Sequence, residues 1–303
     1  MMTLHDTIFG GVGGTLCLYF LFVLMTARVA SALELPRASL FNKLLVVLDA
    51  HRLSHSQLSF ALYIARQLGA TLTLTVRFVL RPHTDQKATT MLTQYVAEKA
   101  EEVGVCVRSQ RGQFKDVLKH LVTEHSPDCV LMGQERFSWF SLPKGYTLPI
   151  LVMPKQPKAR LENFLMPFEN TSESFEALDK ASQLAQTFRA RLYPIHLLEL
   201  PSAPPKGARA WMYVNREEVV ADFARERERL KHRAKNLLFK VRQDFPGVTP
   251  ELYETSSAER YQALETIARK QNTDLIVVGN TELGKVSRQF VRHLATRTPV
   301  LIL

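Results

Sequence analysis

Cysteine is scarce in this chain, and glycine is missing where phosphate chemistry would need it. Of 303 residues only Cys17, Cys106 and Cys129 are cysteines, and none has CxxC spacing. That excludes a disulfide framework and fits reduced thiols in a cytosolic compartment. No G-x-S-x-G, no Walker loop and no H-E-x-x-H occurs. Nothing pairs a nucleophile with a base, so no enzyme activity is expected. His51 and His55 stand four apart, but the sequence places no further ligand beside them, and no metal site is expected. Aromatics gather in two short stretches, Phe137, Trp139 and Phe140, and Trp211 with Tyr213. They read either as docking surface or as caps over a sheet. They do not interleave with bases along one strand face, so no nucleic-acid partner is expected.

Charge of one sign is in excess, with a formal net of +10, but the basic residues are scattered. The densest run, Arg225 to Lys235, alternates acids with bases and reads as a solvated helix face. At 46% apolar and 22% charged the chain is globular.

One long hydrophobic run is present. Thr7 to Ala27 carries no charge over 21 residues, and as a helix it reaches roughly 30 Å, the depth of a bilayer core. Arg28, Arg37 and Lys43 follow it, and only His5 and Asp6 precede it. The reading favoured is a single-pass membrane anchor with the rest of the chain in the cytoplasm. A cleaved signal peptide is the rival, because Ala30 to Ala32 resembles a cleavage site. A buried helix is the third reading. Gly10 and Gly14 have the GxxxG spacing that pairs two such helices, which would give a homodimer.

Beyond that run the sequence repeats itself. Ala61, Ala65, Leu68, Ala70 and Leu72 return at an offset of 120 as Ala181, Ala185, Phe188, Ala190 and Leu192. The same offset carries Asp49 onto Glu169. A second match, Val117 to Gly133 with Ala263 to Gly279, has an offset of 146. Each copy reads as apolar strands of four to eight residues alternating with helical periods, the pattern of a parallel sheet covered on both faces. Lys43 to Leu48 is the first strand. Ser54 caps the first helix, with Gln57 as the reciprocal partner of a capping box. Gly69 ends that helix. A long helix from about Glu217 to Val241 accounts for the extra residues of the second copy. The domains expected are 1–40, a transmembrane helix and linker, then 41–155 and 160–303.

These motifs resemble the universal stress protein family in tandem form. The resemblance rests on the strand ending in Asp49, the paired alanines of the first helices, "DCVLMG" and "DLIVVG", and the proline-led closing strands "PILVMP" and "PVLIL". It implies two flavodoxin-like (adenine-nucleotide α-hydrolase-like) α/β domains that pack as a pseudo-dimer through their last strands. It also implies a part in stress response. In nucleotide-binding members an Asp at the end of the first strand contacts adenine. Asp49 matches it, and Glu169 takes the place in the second copy. The alternative for Asp49 is a carboxylate that accepts hydrogen bonds from nearby backbone amides.

ATP-binding members also carry Gly, two residues, Gly, nine residues, then Gly and Ser or Thr. In the second copy Gly279 matches the first glycine, Glu282 and Val286 replace the others, and Ser287 is retained. Gly284 is a partial substitute, and Asn280 can donate one hydrogen bond. That loop is six residues short. In the first copy Arg136 and Phe137 stand where Gly and Ser belong. An anionic or bulky side chain works against a cradle of backbone amides. The expectation is therefore a non-catalytic regulatory module without a cofactor, bound to the membrane and to an unidentified protein. The alternative is a stress sensor that binds ATP through Asp49, Glu169, Gly279, Asn280, Gly284 and Ser287. A piece of a transporter carrying such a domain is a third reading, which the lone hydrophobic span disfavours.

Overall fold

The computed structural model describes residues 40–49, 54–78, 90, 93–96, 98–99, 103–135, 137, 148–201, 216–256, 259–279 and 288–303. The anchor expected at 7–27 lies outside them. Among the described residues no helix is long and apolar enough to cross a membrane.

Residues 40–303 form one compact unit built on a single ten-stranded sheet. The strands are β1 (Lys43–Asp49), β2 (Thr71–Phe78), β3 (Val105–Arg111), β4 (Cys129–Gly133), β5 (Ile150–Met153), β6 (Asn163–Pro167), β7 (Arg191–Glu199), β8 (Glu251–Thr255), β9 (Leu275–Val278) and β10 (Val300–Ile302). Their order is β3-β2-β1-β4-β5-β10-β9-β6-β7-β8. Every pair is parallel except β5 with β10. The last strands of the two halves thus meet antiparallel, Leu151 opposite Leu301, and the sheet reads the same from either edge. Within each half the order is 3-2-1-4-5. The fourth strand thus lies beside the first, and the order reverses there.

The repeat holds at the level of register. Lys43 pairs with Thr71 as Asn163 pairs with Arg191, an offset of 120 at both ends. Leu44 faces Cys129 as Phe164 faces Leu275, with the second offset of 146.

Helices α1 (His55–Leu68) and α3 (Ser172–Phe188) cover one face. Helices α2 (Phe114–His125), α5 (Arg260–Lys270) and α6 (Arg288–Leu294) belong to the other. Strand alternation divides the core accordingly. Leu44, Val46, Leu131, Met153, Phe164 and Val277 pack under α1 and α3. Leu45, Val47, Val130, Val152, Leu165 and Ile276 pack under the other helices. With both faces covered, the strands are continuous apolar runs. Tyr63 of α1 and Phe188 of α3 meet with ring centroids 5.9 Å apart.

Helix α4 (Arg216–Asp244) is the predicted long helix. It buries Ala234, Leu237, Leu238 and Val241, the i, i+3, i+4, i+7 stripe of an amphipathic helix. Its earlier charges are exposed and pair partly among themselves, Arg225 with Asp222 and Arg229 with Glu226.

The caps are half as expected. Ser54 accepts from the Gln57 N–H at 3.4 Å, and Gly69 sits at φ 62°. The reciprocal half of the capping box is corrected. The Gln57 side chain is fully buried and donates to the carbonyls of Met153 and Pro154 at 3.4 and 3.0 Å. Burial at the end of β5 offers it carbonyls that an exposed cap would not.

Candidate functional site

In an open parallel sheet, ligands sit beyond the carboxyl ends of the strands, where the strand order reverses. That point falls between β1 and β4 in the first half and between β6 and β9 in the second. Asp49 is the last residue of β1 and Gly279 follows β9 directly. Glu169 lies two residues past β6. The fold therefore puts these three predicted residues at the two expected edges. The side chain of Asp49, and Asn280, Gly284 and Ser287 altogether, lie outside the described residues, as do Trp139, Phe140, Trp211 and Tyr213. Phe137, left open between docking surface and core, is buried.

The second-half edge is built tightly. Thr171 caps α3 by accepting from the Ser174 N–H at 3.2 Å. The buried Ser174 hydroxyl in turn accepts from the Glu169 N–H at 2.8 Å. These two bonds fix the backbone that carries Glu169. Its carboxylate then accepts from Arg260 Nη2 at 2.9 Å. Arg260 opens α5, and its Nη1 donates to Glu199, the last residue of β7, at 2.9 Å.

The guanidinium side chain is only 13% exposed. Burial works to lower its pKa, but the hydrogen bond and charge of Glu169, then those of Glu199, outweigh it and raise it. A cation at a helix N-terminus opposes the helix dipole, so two carboxylates, not the helix, hold Arg260 in place. The result is a Glu169–Arg260–Glu199 bridge across the ends of β6 and β7.

The first-half edge is filled differently. Gly133 ends β4 on the α1 side of the sheet, in line with Leu131. Glu135 folds back over it: a Cβ added to Gly133 would stand 2.3 Å from Glu135 Oε1. Glu135 Oε2, Gln134 Oε1 and Gln57 Oε1 are all buried without a hydrogen-bond partner. The Gln57 amide and the Gln134 N–H both donate to the Met153 carbonyl, at 3.4 and 2.8 Å. The space against the first glycine thus holds oxygens, one of them anionic, where a phosphate would require N–H groups.

Sequence reasoning missed Arg260, Glu199 and Glu135. Arg260 is 91 residues from its partner Glu169, and no local spacing links them. Glu135 could have been found, because it stands two residues after the glycine that the repeat marks.

The fold is thus that of an α/β protein with a mostly parallel, doubly covered sheet and a reversal in strand order in each half. Residues 161–302 match the Universal stress protein family, so the second half is a domain of that family. Among solved structures, a universal stress protein from Archaeoglobus fulgidus aligns over 88% of this chain and 97% of its own, with a TM-score of 0.53 and 14% identity. A putative universal stress protein from Pseudomonas aeruginosa aligns over 87% and 93%, with a TM-score of 0.55 and 17% identity. At these identities the likeness is one of fold. Comparison with curated proteins gives no match.

Proposed function

We propose that this chain is a non-catalytic regulatory and interaction module of the universal stress type, made of two copies of one domain. Its role is in stress response, and residues 7–27 hold it to the cytoplasmic face of a membrane. The observation that carries this reading is the Arg260 bridge, which occupies the second-half edge with the protein's own charges. Glu135 does the same in the first half. A triphosphate arriving at either edge meets carboxylate, and like charge at close range disfavours binding. The function then lies in surface contacts. The exposed stretch of α4, with Val220 and Phe239 more than half exposed, supports a protein partner. Membrane attachment would raise the effective concentration of that partner.

Equilibrium dialysis of labelled ATP against the full chain in detergent micelles tests the closed sites. No binding is expected up to about 100 μM, an affinity of about 5.5 kcal/mol. Saturable binding below that, lost on Ser287→Ala, would instead establish the ATP-binding sensor. Gly279 at the reversal point beside β6 favours that second reading. Carbonate extraction of membranes tests the anchor, and release of the chain into the wash would remove it.

A further inference from the structure

A second cluster of charge lies at the opposite edge of the sheet. Asp274 precedes β9 and Gly279 follows it, so the strand separates the two edges by roughly 13 Å. Here the C-terminal ends of α5 and α6 form a groove of about 280 Å³, lined in part by Lys158, Glu265, Arg269, Thr273, His293 and Arg297. Glu265 is the hub. It accepts from Arg269 at 2.6 Å, with His293 at 3.4 Å and Arg297 at 3.5 Å.

The cations are not spent as helix caps. The carbonyls of Ala268 and Arg269 accept from the N–H groups of Thr273 and Asn272, and that of Leu294 from Arg297 and Thr298. Nor does the charge close. Lys158 is balanced by Asp274 at 2.5 Å. Arg269 and Arg297 then share the one carboxylate of Glu265, leaving one positive charge in excess. Both guanidinium groups are more than 60% exposed, so their remaining N–H donors face the groove mouth and solvent.

We propose that this groove binds a small phosphorylated anion, whose phosphoryl oxygens accept from Arg269 and Arg297 in competition with Glu265. Guanidinium forks are the donors that match phosphate geometry. The first half has no equivalent. At the repeat offset Glu265, Arg269 and Thr273 become Lys119, Thr123 and Pro127, which gives one site per chain.

Titration calorimetry with inorganic phosphate on the full chain in micelles, against chloride at equal ionic strength, tests this. Saturable binding of one equivalent is expected. Arg297→Gln should weaken it at least tenfold. Glu265→Gln should tighten it severalfold, because it removes the internal competitor. Arg297 is exposed, so its variant should melt within a few degrees of the parent and in one cooperative step, which confirms folding. No saturable binding, the same affinity in Arg297→Gln, or weaker binding in Glu265→Gln would each overturn the proposal and leave an ordinary surface ion cluster. The test is independent of the closed carboxyl edges. ATP held through this groove would be lost in Arg297→Gln, and ATP held beside Gly279 would not.

Discussion

Asp128 and Asp274 do the same work at equivalent points of the two halves. Asp128 Oδ2 accepts from the N–H groups of Asn42 and Lys43 at 2.7 and 3.0 Å. Asp274 Oδ2 accepts from those of Glu162 and Asn163 at 3.0 and 3.1 Å. Each carboxylate precedes the fourth strand of its half and clamps the start of the first. That is why Asp precedes the apolar run in both copies. Removing it strands two backbone donors, and for Asp274, which is nearly buried, also the charge of Lys158. Asp274→Ala should therefore cost about 3 kcal/mol, and Asp128→Ala, nearer solvent, about 1–2 kcal/mol. Urea denaturation with unchanged m-values checks both.

The first helices of the two halves end alike but with different residues. Gly69 stands at φ 62° and Arg189 at φ 54°, each with its N–H on the preceding turn. The left-handed conformation is free for glycine and costs other residues about 1 kcal/mol. Gly69→Ala should destabilise by about 1 kcal/mol, and Arg189→Gly should stabilise by up to about as much. Thermal melts of the pair, moving in opposite directions, decide it. Equal losses in both would mean that the Arg189 side chain earns its position through contacts.

These two caps show how far the sequence could be read. Gly69 announced its helix end, because glycine is the common left-handed residue; Arg189, at the same point of the second copy, did not. The strands were legible because burial on both faces leaves them as unbroken apolar runs. The strand order was not, because runs such as Cys129 to Gly133 carry no mark of which neighbour they join. At the site, position was legible: Glu169 and Gly279 fall at the reversal point, as Asp49 does at the other. What fills that position was not. Arg260 reaches Glu169 across 91 residues, and Gln57 left its expected capping role for carbonyls that only the folded sheet supplies.

The bridge over the second-half edge should be held by charge and not by shape. Arg260→Ala would remove the cation that Glu169 and Glu199 share. Because the arginine is mostly buried while Glu199 is 39% exposed, solvent screens part of the loss, and about 1–3 kcal/mol is expected. Adding Glu169→Gln should recover a large part of it, since one of two like charges is removed. A double-mutant cycle by urea denaturation measures the coupling. Losses that simply add would show that the bridge contributes nothing of its own.

Acid should dissolve the cluster around Glu265. The hydrogen bond from Arg269, helped by His293, holds the Glu265 carboxyl below its usual range of 4.5. Arg108 holds Glu124 down in the same way. A carboxyl depressed in the folded state stabilises fully above its unfolded pKa, and that contribution fades as pH falls through the folded value. The sensitive window therefore lies below about pH 4.5 and not near neutrality. Melting temperatures of the parent and of Glu265→Gln should differ most at neutral pH and converge as pH falls toward about 3. Because the cations are exposed, high salt should shrink the difference at neutral pH as well. A gap that stays constant from neutral to acid would mean that Glu265 acts through packing, and the ion cluster would then have no part in holding α5 to α6.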